Sequence, residues 1–251
     1  MSSASALTAK RFRSILLAVI FSAASAVTAP AAAEPADDPA LGDLKLLFAA
    51  ADRFKPGMAQ RFNAIISGGK DANAVMGGFG FVGLLVELAT VQAENRSYLD
   101  TAPLPALEVF LAEQARFLAA FEAADPSRCR AHVDGSRRAL KRALKTGALA
   151  LTPFKATAAL IEAMHAGKTS PVPLPNVSES RETQALRLAA ARMSEDDLDA
   201  IDRLGESEGK MPYLGICSDI VAYLRLVRAI DDEAVRRVFA HDYATAAASG
   251  R

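Results

Sequence analysis

Glu162 and His165 stand three residues apart, a step that on a helix puts a carboxylate and an imidazole on one face, as metal-binding bundles require. A di-iron bundle needs that step twice and two further glutamates, and the chain has it once. Glu87, Glu94, Glu108 or Glu113 could complete a mononuclear site; the competing reading is a solvated helix edge. Cys129 and His132 also have a ligand-like spacing, but two cysteines and three histidines leave a zinc ion short of partners. His241 and Asp242 could form half of a hydrolytic triad, yet no G-x-S-x-G elbow frames a nucleophile. Cys217, just ahead of a predicted helix, is the one thiol with a local rationale, because the positive helix end favours a thiolate. Gly78, Gly80 and Gly83 spell G-x-G-x-x-G with no strand before them and no βαβ unit around them, so no nucleotide site follows and no cofactor is expected.

Charge offers a different kind of site. Arg137, Arg138, Lys141, Arg142 and Lys145 lie on adjoining rows of one predicted helix, with Arg128 and Arg130 before them and Asp134 the only nearby acid. Such a face suits an anionic partner and should weaken in salt. It could equally be a solvated surface, or pair with the acidic run Glu195, Asp196, Asp197, Asp199 and Asp202. No aromatic residues are interleaved with it, so stacking on nucleic-acid bases is not expected.

The address comes from the first 33 residues. Lys10, Arg11 and Arg13 precede an apolar run from Ser14 to Val27, and a small-residue stretch ends in Ala31-Ala32-Ala33. This is the pattern of a cleavable signal peptide, too short to span a bilayer comfortably as a helix. The Ala- and Arg-rich composition without Trp suggests a bacterial source, so the destination is the periplasm or the medium. Cleavage after Ala33 removes three basic groups and no acidic one, taking the formal balance from zero to about minus three. In an oxidising compartment Cys129 and Cys217 are expected to pair, a closure that restricts the unfolded chain by roughly 4 to 5 kcal/mol in the loop-entropy model.

The elements that must position these residues are helices. Alanine and leucine dominate the apolar half, β-branched and aromatic residues are sparse, and no run alternates long enough for a sheet. Helical spacing places Leu44, Leu47, Phe48 and Ala51 on one face, Phe62, Ile65 and Ile66 on the next, and Leu107, Phe110, Leu111, Leu118 and Phe121 on a third. Asp71 to Glu94 is uncharged except for Glu87 and reads as a central helix whose glycines admit a neighbour's bulk, or as a membrane span. Further helices are predicted over 134–149, from Pro153 to Gly167, from Ser180, from Ser194 as a cap with Asp197 three residues on, through Ile216 to Val227, and from Asp231. Pro171, Pro173 and Pro175 alternate in a stretch predicted to be extended.

The expected fold is all-α, an irregular bundle of about eight helices. It divides into a signal peptide (1–33), an N-terminal helical lobe (34–167), a Pro-rich connector (168–180) and a C-terminal lobe (181–251), the two lobes forming one domain. The expected role is that of an exported, non-enzymatic binding or interaction protein of the bacterial cell envelope, meeting an envelope protein or anionic component, with no nucleic acid and no stable membrane span once the leader is gone. A metal- or thiol-dependent exported enzyme is the alternative.

Overall fold

A computed structural model describes residues 39–67, 79–124, 153–206 and 216–249. The leader, Gly78, Cys129, His132 and the basic residues Arg137, Arg138, Lys141, Arg142 and Lys145 lie outside the described residues. Within them the protein is all-α, with nine α-helices, one 3-10 helix and no strand.

The first helix, α1 (Pro39–Asp52), opens on a proline, whose fixed φ and missing N–H suit a helix start. Leu44, Leu47, Phe48 and Ala51 fall on its inner face and are fully buried. Gly57, at φ 92°, takes the left-handed conformation that reverses the chain into α2 (Met58–Ile66). The Asp52 carboxylate accepts the Ala59 N–H at 3.1 Å, so the end of α1 helps to satisfy the start of α2. Phe62 of α2 stacks on Phe48 with ring centroids 4.6 Å apart, and Phe81 of α3 (Phe79–Asn95) meets Phe48 edge-on at 6.1 Å.

The described part of the uncharged stretch, α3, is buried on one side and open on the other. Phe81, Leu84, Leu85, Leu88 and Val91 point inward, whereas Val86 is 63% exposed. A Cβ on Gly83 would meet nothing within 4 Å, and one on Gly80 would only touch the Ile65 side chain. The expectation of a central helix with glycines admitting a neighbour is therefore corrected: α3 flanks the bundle. No helix among the described residues is long and apolar enough to cross a membrane.

The centre is α5 (Phe154–Thr169), packed between α1 on one side and α4 (Leu104–Ala124) on the other, with the 3-10 helix Arg96–Thr101 across its end. Ten of its residues are buried. Ala156, Ala158, Ala159 and Ala163 let neighbouring backbones come close, while Leu160, Ile161 and Met164 fill the remaining volume. Gly167 is the tightest point: a Cβ there would stand 1.9 Å from the Tyr98 carbonyl oxygen of the 3-10 helix. Thr101 fastens the same contact, its hydroxyl donating to the Gly167 carbonyl at 2.9 Å.

Beyond α5 the chain carries no helix or strand from 171 to 178, the stretch of the three alternating prolines. It is held to the body rather than free. The Val172 N–H donates to the Thr101 carbonyl at 2.8 Å, and the Arg237 guanidinium donates to the carbonyls of Ala102, Val172 and Pro173. Four helices follow: α6 (Glu179–Ala190), α7 (Glu195–Glu206), α8 (Ile216–Ala229) and α9 (Glu233–Ser249). Ser194 caps α7 through the Asp197 N–H at 3.2 Å. Asp232 caps α9, accepting from the N–H groups of Ala234 and Val235.

The buried side chains form two clusters. The smaller gathers α1, α2 and α3 with Phe154, Ala158 and Ile161; the larger gathers α4 and α6 to α9 with Ala159, Leu160, Ala163 and Met164. Helix α5 contributes to both.

Candidate functional site

Of the sequence-derived candidates, those among the described residues mostly sit among partners that occupy them. Glu162 projects from α5 to Arg53, 2.9 Å away, with both side chains about half exposed. His165 lies edge-on to the Phe54 ring at 5.8 Å, and one turn on the Lys168 ammonium stands over both Phe54 and Tyr98. These are structural contacts between the end of α1, the 3-10 helix and α5. The proposed metal ligands Glu162 and His165 are thus engaged elsewhere, and among the described residues no group of three or more His, Cys, Asp or Glu side chains is disposed to hold a metal ion.

Cys217 is the second residue of α8, inside the first turn rather than just ahead of the helix as expected, and it is fully buried. No free cysteine occurs among the described residues. A nucleophile needs access to its substrate, and this sulfur has none from solvent.

Glu87, the exception in the uncharged stretch, faces Arg61 and Lys55. Arg61 donates to both carboxylate oxygens at 2.7 and 2.6 Å, and Lys55 approaches to 2.9 Å. Those hydrogen bonds, Arg61's foremost, hold the Glu87 carboxyl well below the usual carboxylate range, at about 2. The pair ties α3 to α2 and to the turn before it.

The acidic helix α7 buries Ala200, Ile201 and Leu204, and its carboxylates lie on the other face. Asp197 accepts from Arg225 of α8 at 2.9 Å. Glu195, Asp196, Asp199 and Asp202 are exposed and make no ion pair with a described residue. The other carboxylate contact on this side is buried: Asp219 of α8 is 2% exposed and accepts from Arg203 at 2.7 Å.

His241 and Asp242 are the candidate whose surroundings go furthest beyond the sequence. The His241 ring, 12% exposed, places Nδ1 3.1 Å from Asp242 and Nε2 2.9 Å from Asp100 of the 3-10 helix. Thr245, one turn along α9, brings its hydroxyl 3.2 Å from the same Nε2. Burial pulls the His241 pKa down, but the hydrogen bonds and charges of Asp242 and Asp100 together outweigh it, and the net direction is up. The neighbouring Arg237 guanidinium is nearly buried, and burial draws its pKa down while Glu233 partly offsets that. Sequence reasoning did not find Asp100, Thr245 or Arg237, because each is defined by a contact across the fold. An imidazole with a carboxylate facing each nitrogen is fastened on both sides.

Comparison with protein-family models, with curated proteins and with solved structures finds no match to this chain. Its function is therefore argued from its own residues.

Proposed function

We propose that the chain is an exported helical binding protein of the bacterial cell envelope that meets an anionic partner through Arg137, Arg138, Lys141, Arg142 and Lys145. The leader pattern of residues 1–33 supports the address. The observation that carries the binding reading is in the sequence: Arg137, Arg138, Lys141, Arg142 and Lys145 are five basic residues within nine positions, with Asp134 the only nearby acid. A run of basic residues with few acidic neighbours attracts external anions over roughly one Debye length, about 8 Å in physiological salt.

The test is association of the full chain with isolated envelope fragments, comparing the native sequence with the double reversal R138E/R142E at low and high salt. Binding is expected to fall with salt and to be lost on reversal, with an unchanged circular dichroism spectrum. Association that survives reversal sinks the proposal and returns these residues to the solvated surface.

A disulfide between Cys129 and Cys217 belongs to the same reading. The full burial of Cys217 and the lack of a free cysteine among the described residues support it. An intact mass two hydrogens below the reduced value, in protein purified without reductant, is the expected result. Two alkylatable thiols in the denatured, unreduced protein would remove the bridge.

A further inference from the structure

We infer that His241 is a proton-operated latch between the 3-10 helix and α9, in which loss of one proton transfers its Nε2 from Asp100 to Thr245. A charged imidazolium donates from both nitrogens, and each faces a carboxylate within hydrogen-bond distance: Nδ1 faces Asp242 at 3.1 Å and Nε2 faces Asp100 at 2.9 Å. A neutral ring keeps one N–H and acquires one lone pair. Donation from Nδ1 to Asp242 then leaves the Nε2 lone pair pointing at an ionised Asp100, which can give it no hydrogen. Thr245 can: its hydroxyl is 3.2 Å from Nε2 and is able to donate.

The proton balance is simple. Below the ring's pKa, Nε2–H donates to Asp100 across the two elements. Above it, that proton has gone to solvent and the Thr245 O–H donates to Nε2 within α9 alone. Asp100, 63% exposed, is released to water. The charged groups acting on His241 are Asp242 from its own helix and Asp100 from the 3-10 helix; among the described residues, the helices packed against the rest of α9 bring no further charge to bear on the ring.

What the latch holds is more than one side chain. Thr101, next to Asp100, carries the hydroxyl bonded to Gly167 and the carbonyl that receives the Val172 N–H, so the Pro-rich connector hangs from the segment His241 fastens. Arg237 holds the same junction through Ala102, Val172 and Pro173 with a group that stays charged throughout. Deprotonation of His241 therefore loosens the junction without opening it.

The test is a titration of the full chain followed by NMR, with the His241 ring signals assigned by their absence in H241Q. In the native protein the ring is expected to titrate above an ordinary histidine. D100N should bring the value down, and T245V should push it up, because removing the hydroxyl destabilises the neutral ring. Protection of the Val172 amide against exchange, corrected for the intrinsic pH dependence, should drop several-fold as His241 deprotonates, and should not follow that titration in D100N. A merely structural histidine would show no opposite response to the two substitutions. The inference is overturned if D100N leaves the titration unmoved, if T245V lowers it, or if Val172 protection ignores the protonation state of the ring.

Discussion

The smaller core cluster and the larger one differ in how far their polar ties reach inside. Around α1, α2 and α3 the interior is mostly apolar, centred on Phe48, Phe62 and Phe81 with the Gln92 amide a buried exception, and the polar ties between helices sit at the surface, Arg61 and Lys55 on Glu87 among them. Around α4 and α6 to α9, surface pairs such as Arg181 on Asp232 and Arg192 on Asp231 are joined by ties drawn inward: Asp219 under Arg203, Arg237 on three carbonyls, His241 between two carboxylates. Ring stacking tolerates sliding, whereas a buried donor must meet its acceptor or cost about 1 to 3 kcal/mol. The first plan supplies stability with little demand on register; the second dictates how its elements are seated.

Breaking the aromatic plan should have the largest effect. Phe48→Ala removes a fully buried ring with two aromatic neighbours, and a loss of about 3 to 5 kcal/mol is expected in urea unfolding, with no change in its pH dependence. Next comes the junction between the plans. Gly167→Ala drives a methyl group into the Tyr98 carbonyl, and the backbone displacement should cost about 3 kcal/mol and reduce amide protection at Val172. A result near zero would mean that the 3-10 helix can be moved freely, which the inward-tied plan does not allow.

Asp219→Asn keeps the shape of a buried carboxylate and removes its charge from Arg203; because that arginine is half exposed, the loss should be modest, about 2 kcal/mol. The smallest effect belongs to the surface tie. Glu87→Gln should cost less than about 1 kcal/mol, since exposed pairs rarely contribute more. Its pH signature is nonetheless defined: the folded carboxyl lies below its unfolded value, so its contribution is present above about 4.5 and disappears as the pH falls through about 2. Subtracting the acid unfolding curves of the native protein and E87Q should isolate that window, and a difference confined to neutral pH would contradict the assignment.

Much of the helical layout was legible because long apolar side chains mark an inner face. Leu44, Leu47, Phe48 and Ala51 announce α1, and Ser194 announces the start of α7 through a local cap that needs no tertiary knowledge. The centre was misplaced for a physical reason. Hydrophobicity draws attention to 71–94, but depth in a bundle also rewards smallness, and α5 is central because its alanines and Gly167 admit neighbours at short range. The site residues divide in the same way. Glu162, His165 and Cys217 could be proposed from type and spacing, while what occupies them could not. His241 and Asp242 are adjacent in the chain, but Asp100 lies 141 residues away and nothing local advertises it.

The double membership of α5 also bears on how the chain is made. Synthesis delivers α1, α2 and α3 first, yet the cluster they form is closed by Phe154, Ala158 and Ile161, which arrive some sixty residues after α3 ends. Until then Leu44, Leu47, Phe48 and Leu88 share an unfinished wall, a surface that a chaperone can hold and a protease can cut. A nascent chain arrested before residue 154 is expected to remain protease-sensitive, and one arrested well beyond α5 to become resistant across residues 39–95. The helix that joins the two clusters in space thereby also sets the earliest moment at which the first of them can finish folding.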